Sequence, residues 1–444
     1  SRENRWPRWP RQGTKTSMDE PYPVRAITED EFAAMYAADE HAFHTAWPAG
    51  PEIQHFRERF EFDRSLAAVD GTVIAGSACA FSFLLSVPGQ VVPAAGVSGV
   101  SVLPTHRRRG ILRSLMTRQL ADVHDAGEAI AILWASEAGI YGRFGYGVAT
   151  ASASFTIRRG DGRLAPGAPS DPGLELRIAA PQRARGELAK LYDTLLPGRP
   201  GLFARDDRWW DAALYDPAHR REGRAPLRCL LAEDASGPRG YALYAASPRW
   251  DDDGLPAATI AVRELMADGP ATAAALWHDL LSRDLTGEVT AWNRPVDDPL
   301  LHLLADPRRA RARFRDALWV RLVDLPSALT KRRYAAPADV VIEVTDEICP
   351  WNAGTWRLRV PGPADTAGPA DTAGPGAAAA ECVRTSDPAE LSLPVAALGA
   401  AYLGGTRLGA LAGAGLVKEL RPGALAAAST AMSWDPAPWC PMVF

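Results

Sequence analysis

The stretch that most constrains this chain is residues 93–147, PAAGVSGVSVLPTHRRRGILRSLMTRQLADVHDAGEAIAILWASEAGIYGRFGYG. A valine-rich run ends at Val102, and the basic turn Arg107-Arg108-Arg109-Gly110 follows it. Apolar residues then recur at helical spacing over 111–123, and the run 129–134 is apolar throughout. This order predicts a strand, a basic turn with a glycine, a helix and a second buried strand.

The turn has the chemistry of an anion-binding site. A helix leaves the N–H groups of its first turn without intrahelical partners, and these groups attract negative charge. Gly110 would let a pyrophosphate approach the backbone closely, and the arginines before it add positive charge. A basic turn before a helix is more often a solvated surface feature, so the turn alone is weak evidence. With its flanking strands it fits the coenzyme A cradle of an acetyltransferase.

Composition excludes several classes of protein. With 47% apolar and 23% charged residues among 444, the chain is an ordinary globular protein of about two to four domains. A net charge of −4 gives no basic field for nucleic acid, and no apolar run is long enough to span a bilayer. The five cysteines lack a C-x-x-C pair, which indicates reduced thiols of a cytoplasmic protein and no disulfide frame. We therefore expect no nucleic acid, no membrane and no metal as partners.

Residues 1–17, SRENRWPRWPRQGTKTS, are basic and contain Trp-Pro twice. They lack the apolar core of a secretory signal. We expect a disordered extension left by a vector or a mis-assigned start, with Met18 as the natural first residue. A nucleic-acid-binding or membrane-binding arm is the alternative.

Residues 18–160 are predicted to form one α/β domain. Asp70-Gly71 is typical of a hairpin between two strands that precede the stretch above, and the alternating run 149–158 is predicted to add a last strand. The sheet should be mixed, because a hairpin pairs antiparallel strands whereas a strand, helix, strand unit needs a crossover.

Two further regions follow. Residues 161–310 repeat the order of strands and helix, but Ala267-Asp268-Gly269-Pro270 replaces the arginines of the turn by an acid. We predict a second, degenerate fold without the phosphate cradle. Residues 311–444 begin with a strand candidate at 318–325 and contain a low-complexity loop at 361–380. Their last segment, SWDPAPWCPMVF, is apolar and proline-rich, which predicts a docked terminus rather than a frayed one.

Two strings, THRRRGILR and ASEAGIYGRFGYG, occur at this separation in a chain that ends in an aromatic residue. In these features the chain resembles the Eis (enhanced intracellular survival) family of GNAT acetyltransferases. The resemblance implies an α/β (α+β) protein with tandem GNAT-like domains, mixed sheets and a C-terminal domain similar to sterol carrier proteins. It also implies that only the first domain is catalytic, that the C-terminus returns to the active site, and that the chain forms a homo-hexamer.

Acetyl transfer to an amine needs a proton acceptor and an acid for the leaving thiolate, because an amine of pKa about 10.4 is protonated at neutral pH. Tyr141 lies just past the second buried strand, where the thioester sulfur should lie if a pyrophosphate binds at Gly110. Without the resemblance, Tyr141 is more simply one aromatic of a core cluster with Phe144 and Tyr146. The resemblance selects Tyr141 as the catalytic acid.

For the proton acceptor, the resemblance implies the chain's own C-terminal carboxylate, which here is that of Phe444. A free α-carboxyl has a pKa of about 3.5, so it would take the proton through water rather than strip an ammonium directly. The alternative is a terminus that is merely packed by its aromatic ring.

The positions that the resemblance assigns to acetyl-CoA lie along this same stretch. They are Val100, Val102, Arg107, Arg108, Gly110, Ile111, Leu112 and Ser136. Val100 would offer its backbone N–H to the acetyl carbonyl, and the turn would hold the pyrophosphate. His106 and Arg109 are expected to be solvated neighbours.

The acceptor pocket departs from the family's pattern. Gly99 stands where an aromatic residue can wall the pocket, and Thr45 stands where an acid can bind a cationic substrate. Asp39, Glu40 and Trp47 lie nearby in the sequence and are candidates to replace that acid. The catalytic assignment survives this departure, but the broad aminoglycoside specificity of the family becomes less certain here.

We therefore predict a cytoplasmic acyltransferase that moves acetyl from acetyl-CoA to primary amines of a polycationic small molecule. Aminoglycosides, and hence antibiotic resistance, are what the resemblance implies. One alternative keeps the chemistry and changes the acceptor to a lysine or peptide amine or a specialised metabolite. Another is a non-catalytic protein that binds acyl-CoA or lipid.

Overall fold

The computed structural model describes residues 21–45, 51–362 and 379–444. The predicted N-terminal extension and residues 363–378 of the low-complexity loop lie outside this part. The chain forms two compact units. The first contains the described residues up to Ala149, the segment Leu318–Asp435 and Phe444, and the second contains Thr150–Ala317 and Pro436–Val443.

The chain up to Ala149 contributes six strands and four α-helices among its described residues. The strands are β1 (Val24–Ala26), β2 (Leu66–Asp70), β3 (Val73–Val87), β4 (Gln90–Val102), β5 (Ile130–Trp134) and β6 (Gly147–Val148). The helices are α1 (Phe32–Phe43), α2 (Pro51–Arg57), α3 (Ile111–Asp125) and α4 (Ala138–Tyr141).

The second unit repeats much of this order. Its strands are β7 (Ala151–Arg158), β8 (Glu175–Ala179), β9 (Arg228–Asp234), β10 (Gly237–Ser247), β11 (Ala258–Ala267), β12 (Thr286–Pro295) and β13 (Arg313–Asp316). Its helices are α5 (Pro181–Leu195), α6 (Asp207–Ala213), α7 (Pro270–Ser282) and α8 (Leu300–Leu303).

The described residues after Ala317 form the remaining elements. The strands are β14 (Leu318–Leu322), β15 (Ala338–Thr345), β16 (Gly354–Val360), β17 (Glu381–Arg384), β18 (Leu391–Pro394) and β19 (Lys418–Glu419). The helices are α9 (Leu325–Thr330), α10 (Val395–Ala401), α11 (Leu408–Gly413) and α12 (Ala424–Met432).

The first sheet has the order β1-β2-β3-β4-β5-β14-β6. The strands β1 to β4 pair antiparallel, whereas β4 and β5 are parallel and are joined by the crossover helix α3. The predicted mixed sheet is therefore confirmed. The helix α3 packs its apolar stripe on one face, where Ile111 and Leu115 meet Ala78, and α1 packs on the other, where Met35 meets Cys79. Successive β3 residues point to opposite faces, which is why adjacent positions serve different helices.

Two strands belong to sheets other than those predicted. The strand expected at 149–158 as the last of the first domain is β7, which pairs with β12 and β13 in the second sheet. The strand predicted at 318–325 to open the third region is β14, which inserts between β5 and β6 of the first sheet. Alternation along a strand fixes which face is buried but not which partner it pairs with, so both assignments were wrong.

The second sheet has the order β13-β7-β12-β11-β10-β9-β8, with β11 and β12 parallel and joined by α7. Its buried core includes Trp277 from α7. The segment Pro436–Val443 docks within this unit, since the Trp439 indole Nε1 donates to the Asn293 carbonyl at 2.8 Å. The Asn293 amide Nδ2 in turn donates to the Cys440 carbonyl at 3.0 Å.

The third sheet has the order β17-β16-β15-β18-β19, and its strands β15 and β16 form an antiparallel pair. Helix α12 packs against β15, and α10 follows directly after β18. The fully buried Arg332 anchors this region, because its guanidinium donates to the carbonyl oxygens of Ala401, Tyr402 and Met432.

Candidate active site

The strand β4 is interrupted by a bulge at Gly99. The register with β3 shifts between Ser77 and Cys79, so Gly99 and Val100 oppose the single residue Ala78. Gly99 has φ +55°, a conformation that favours glycine. A bulge removes one residue from the ladder and re-aims the neighbouring groups. The backbone of Val100, whose N–H the family resemblance assigns to the acetyl carbonyl, thus lies at a break in strand pairing.

The parallel strands β4 and β5 separate at the same level. They pair only from Ala95 to Val97 and from Ala131 to Leu133. Beyond Leu133 the pairing of β5 continues with β14 alone, while β4 runs on to Val102. A wedge therefore opens between β4 and β5, and the bulge lies on its edge.

The basic turn leads from β4 into α3. Arg108 has φ 63° and Gly110, the residue that caps the helix, has φ 86°. Among the residues that the structure describes, no side chain caps this end, and a Cβ placed on Gly110 would meet no atom within 4 Å. The first intrahelical bond is donated by the Ser114 N–H to the Gly110 carbonyl at 3.0 Å. The N–H groups before Ser114 are therefore free of intrahelical partners and open to an anion.

The side chains of the turn differ in their contacts. Arg107 is exposed and reaches the Ala42 carbonyl at 3.2 Å, and Arg108 is exposed. Arg109 donates to the Tyr22 hydroxyl at 2.6 Å, and His106 lies 3.2 Å from an Asp70 carboxylate oxygen. His106 and Arg109, expected from the sequence to be solvated neighbours, therefore tie the turn to Tyr22 just before β1 and to the β2–β3 hairpin.

The other predicted cofactor residues lie close to the wedge. Ile111 is buried in the core beneath α3, so only its backbone N–H faces the turn. Val102 and Leu112 are half-buried and pack against core clusters, and Ser136 is exposed just after β5. These positions contribute apolar walls and backbone groups rather than charge.

Tyr141 ends α4 and is 5% exposed. It belongs to the same core cluster as Val97 and Leu133, the last residues at which β4 and β5 pair. Burial raises the pKa of Tyr141 to about 12, while a hydrogen bond with Ser136 acts in the opposite direction. The phenol is therefore protonated at neutral pH and able to donate.

A buried ion pair that the sequence did not reveal supports the turn after Tyr141. Both carboxylate oxygens of Asp346 accept from Arg321 at 2.7 Å, and the two side chains are 1% and 0% exposed. A Cβ on Gly145, which has φ 83°, would come within 2.7 Å of the Arg321 guanidinium. Gly145 therefore lets the chain pass close over this arginine and sets the position of the Tyr141 helix.

Phe444 lies beside the bulge. The Ser98 hydroxyl donates to the Phe444 main-chain oxygen at 3.0 Å. The Phe444 ring meets Phe83 edge-on, with 4.9 Å between ring centroids. A Cβ on Gly96 would lie 2.1 Å from the Phe83 ring and 3.3 Å from the Phe444 ring, so only glycine fits beneath them.

Among the acids proposed to replace the missing pocket acid, Asp39 has a defined place. Ser77 and Ser101 both donate to its Oδ1, at 2.9 and 2.5 Å. Asp39 is buried, and burial raises its pKa to about 6 against the effect of these two hydrogen bonds. Thr45 is exposed after α1, and Trp47 lies outside the described residues. Polar residues within the otherwise apolar strands β3 and β4 were the signal that could have revealed this cluster.

Comparison with known proteins gives the same family that the two sequence strings indicate. Residues 23–149 and 201–322 each match the acetyltransferase (GNAT) domain, and residues 325–441 match the sterol carrier protein domain. An uncharacterized N-acetyltransferase of Streptomyces avermitilis is 44% identical over 422 residues, which cover 95% of this chain and 99% of the relative. The N-acetyltransferase Eis of Mycobacterium tuberculosis is 34% identical over 404 residues, which cover 87% of this chain and 90% of the relative. The chain belongs to the Eis family of GNAT N-acetyltransferases.

A solved structure of the family supports this at the level of the fold. The crystal structure of Eis1 from Mycobacterium abscessus is 34% identical and superposes with a TM-score of 0.76 over 95% of this chain and all of that chain. The predicted order of two GNAT folds and a sterol-carrier-like domain is therefore confirmed. An Eis-family protein is an acyltransferase, which sets aside the alternative of a non-catalytic carrier.

GNAT domains imply acetyl-CoA as the acetyl donor, and the first fold fits it. The uncapped N-terminus of α3, the arginines of the turn and the wedge at the β4 bulge match a pyrophosphate followed by an extended arm and a thioester. Within the described residues, every helix is too short or too polar to span a bilayer.

The second GNAT fold has the scaffold without the cradle. Its crossover helix α7 starts at Pro270, which has no N–H to offer, and Asp268 puts a carboxylate at the same turn. Asp268 accepts from Thr272 at 2.9 Å and pairs with Arg239. The second fold therefore has Asp268, already bound to Thr272 and Arg239, where the first fold has exposed arginines and free N–H groups.

Proposed function

We propose that this Eis-family enzyme transfers acetyl from acetyl-CoA to primary amines of a polycationic small molecule of the aminoglycoside type. The observation that carries the proposal is the meeting of three features at one end of β4. These are the Gly99 bulge, the main-chain carboxyl group of Phe444 next to it, and the acidic side chain of Asp39 below it. Two anionic groups at a site for an amine favour cationic acceptors.

The donor half of the site divides its work between backbone and side chains. The Val100 N–H polarises the acetyl carbonyl, because charge develops on that oxygen during attack. Arg107, Arg108 and the N–H groups from Gly110 to Leu112 hold the pyrophosphate. Val102 and Ser136 flank the arm that joins them.

Proton transfer uses two groups. Tyr141 gives its phenolic proton to the departing thiolate, and its raised pKa keeps the phenol protonated at neutral pH until that thiolate forms. The main-chain carboxylate of Phe444, held by Ser98, takes a proton from the amine through water. As part of the same proposal, the enzyme works in the cytoplasm as a homo-hexamer and protects its host against aminoglycosides.

The test is acetyl-CoA-dependent thiol release with aminoglycosides, polyamines and lysine peptides, with the product mass measured for each acceptor. We expect added acetyl mass on an aminoglycoside, and we expect Tyr141→Phe to lower kcat by about 10²- to 10⁴-fold. Acetyl-CoA binding should be unchanged, because the hydroxyl acts on the leaving group. Extending the chain beyond Phe444 by a short tag should also lower kcat.

Two results would contradict the proposal. Turnover on lysine peptides alone would move the acceptor to a protein or peptide amine. Full activity of Tyr141→Phe would remove Tyr141 from the acid role. Tyr146→Phe is the matched control, because Tyr146 belongs to the same core cluster and its ring lies 6.1 Å from that of Tyr141.

A further inference from the structure

The carboxylate of Asp39 is built into the sheet in an unusual way. Only 7% of the residue is exposed, and it projects from α1 toward β3 and β4. Both of its hydrogen bonds, from Ser77 and Ser101, end on Oδ1. Among the described residues nothing donates to Oδ2, so one oxygen is held and the other is available.

The available oxygen faces the bulge. Asp39 Oδ2 lies 3.8 Å from a Cβ placed on Gly99, and glycine leaves that position without a side chain. The single Ser77 hydroxyl proton also lies within reach of the Gly99 carbonyl oxygen at 2.8 Å, so Ser77 shares it between the carboxylate and the bulge backbone. Ser98, the residue before the bulge, holds Phe444. Asp39 and the Phe444 carboxyl group therefore lie next to adjacent residues of β4, Gly99 and Ser98 respectively.

Asp39 also lacks what three other buried acids among the described residues have. Glu128, Glu264 and Asp298 are each paired with an arginine: Arg64, Arg205 and Arg294 respectively. In the described part of the chain no cation lies within ion-pair distance of Asp39. Burying an unpaired carboxylate is unfavourable, and such groups concentrate at functional sites.

We propose that Asp39 is the base that finally holds the amine's proton during acetyl transfer. This rests on the proposed function, in which the acceptor amine attacks at the Gly99 bulge. The acceptor first loses its ammonium proton to solvent, so that the lone pair of the neutral amine forms the C–N bond, and the C–S bond breaks with its electron pair going to sulfur. The next proton on nitrogen passes through a water molecule beside Phe444 to Asp39 Oδ2, and the Tyr141 proton goes to sulfur. Exchange with solvent restores both groups.

The two carboxyl groups differ as bases. A main-chain carboxyl group has a pKa of about 3.5 and is a poor acceptor at neutral pH. Burial brings the pKa of Asp39 to about 6, which is closer to the operating pH of a general base. The hydrogen bonds from Ser101 and Ser77 keep that pKa from rising further, so the carboxylate is still ionised at pH 7.

Few titratable groups face Asp39. The Cys79 thiol on β3 is nearby, and burial and the Asp39 charge raise the pKa of that thiol above its ordinary value. The neighbouring residues of β4, Ser98 and Ser101, do not titrate, and a free main-chain carboxyl group has a pKa of only about 3.5. The acidic limb of the pH profile therefore reports Asp39.

The experiment is a comparison of wild type with Asp39→Asn, using kanamycin A and spermine as acceptors. The amide has the same shape and still accepts from both serines. We expect kcat to fall by about 10²- to 10⁴-fold, KM to rise by less than about tenfold because one of the two anionic groups is lost, and the acidic limb of the kcat profile to disappear. Ser101→Ala should move that limb to higher pH, because it removes a hydrogen bond that favours the carboxylate.

Several outcomes would overturn the role of Asp39. An unchanged kcat, or a loss confined to KM, would make Asp39 structural or an amine anchor. Inactive wild type would count against the proposed function instead. Asp39 is then judged by ¹³C NMR titration of its carboxyl carbon, where a pKa below about 4, or no response to Ser101→Ala, contradicts the inference. Circular dichroism and acetyl-CoA binding check that each variant is folded.

Discussion

The two GNAT folds place a carboxylate beside a bulge in corresponding strands and use it in opposite ways. The register between β10 and β11 shifts between Leu243 and Tyr244, so that Arg263, next to Glu264, has no partner residue on β10. Arg205 contacts both Glu264 oxygens, at 3.0 and 2.6 Å, and Tyr241 donates to one of them. Burial opposes the ionisation of Glu264, but Arg205 and Tyr241 together hold its pKa below the ordinary value.

Asp39 in the first fold is buried to a similar extent but has two serines in place of an arginine. Its pKa is raised rather than lowered. A carboxylate that is paired with an arginine stays ionised and stabilises the core, whereas a carboxylate with one free oxygen can still take up a proton. Both folds therefore share the bulge as part of their scaffold. The partners of the neighbouring acid decide whether that acid is a structural ion pair, as Glu264 is, or can take up a proton, as Asp39 can.

The largest expected effect is in the second fold. Glu264→Gln leaves the buried Arg205 without its counter-ion, so we expect that unit to lose about 3–5 kcal/mol of stability. The midpoint of thermal unfolding and hydrogen exchange across β9 to β12 measure the loss. Glu233→Gln is the control, because its partner Arg177 is exposed and such a pair contributes only about 0–1 kcal/mol. Equal losses in the two variants would break the comparison.

The next effect concerns the turns. Replacing Arg107 and Arg108 by Ala and Asp gives the first fold the character of the second at that position. Two charged contacts to the pyrophosphate are lost, so the Kd for acetyl-CoA should rise about 100- to 1000-fold by calorimetry. Arg118→Ala on the same helix α3, where Arg118 pairs with Asp122, should leave the Kd unchanged. Unaltered affinity in the double variant would place the pyrophosphate elsewhere.

Asp39→Asn should raise the stability of the protein at neutral pH, by less than Glu264→Gln lowers it. The folded pKa of Asp39 is about 6 and the unfolded value about 4, so the folded state binds more protons between these pH values. Stability therefore falls as pH rises through that window, by up to about 3 kcal/mol. Asp39→Asn should unfold at a higher temperature than wild type at pH 7.5, with the difference shrinking toward pH 4. A destabilised variant at pH 7.5 would mean that the carboxylate is paired in solution.

The smallest effect is a predicted absence of change. Ala267→Arg combined with Asp268→Arg should not create a second acetyl-CoA site, because Pro270 still lacks an N–H and Glu264 beside the bulge is still paired with Arg205. Equilibrium dialysis should give an unaltered number of bound acetyl-CoA per chain. An additional site would show that charge at the turn is sufficient.

Sequence patterns were most reliable where the interactions are local. The helix α3 and its basic turn follow from apolar spacing and the glycine at position 110, because both depend on residues within a few turns of one another. The repeat of the same order in the second fold, and the acid in its turn, could be predicted for the same reason. The faces of β7 and β14 were equally clear, but their partners were not.

The sequence by itself determined that this is an Eis-type tandem protein with one cradle and a second fold that lacks it. The turn residues carry that distinction directly, since a helix start either offers N–H groups and arginines or it does not. Only the tertiary structure decided that β14 completes the first sheet and that Asp39, Ser77 and Ser101 meet at the bulge. Contacts between residues far apart in the chain depend on strand pairing and register, which period-two patterns leave undetermined.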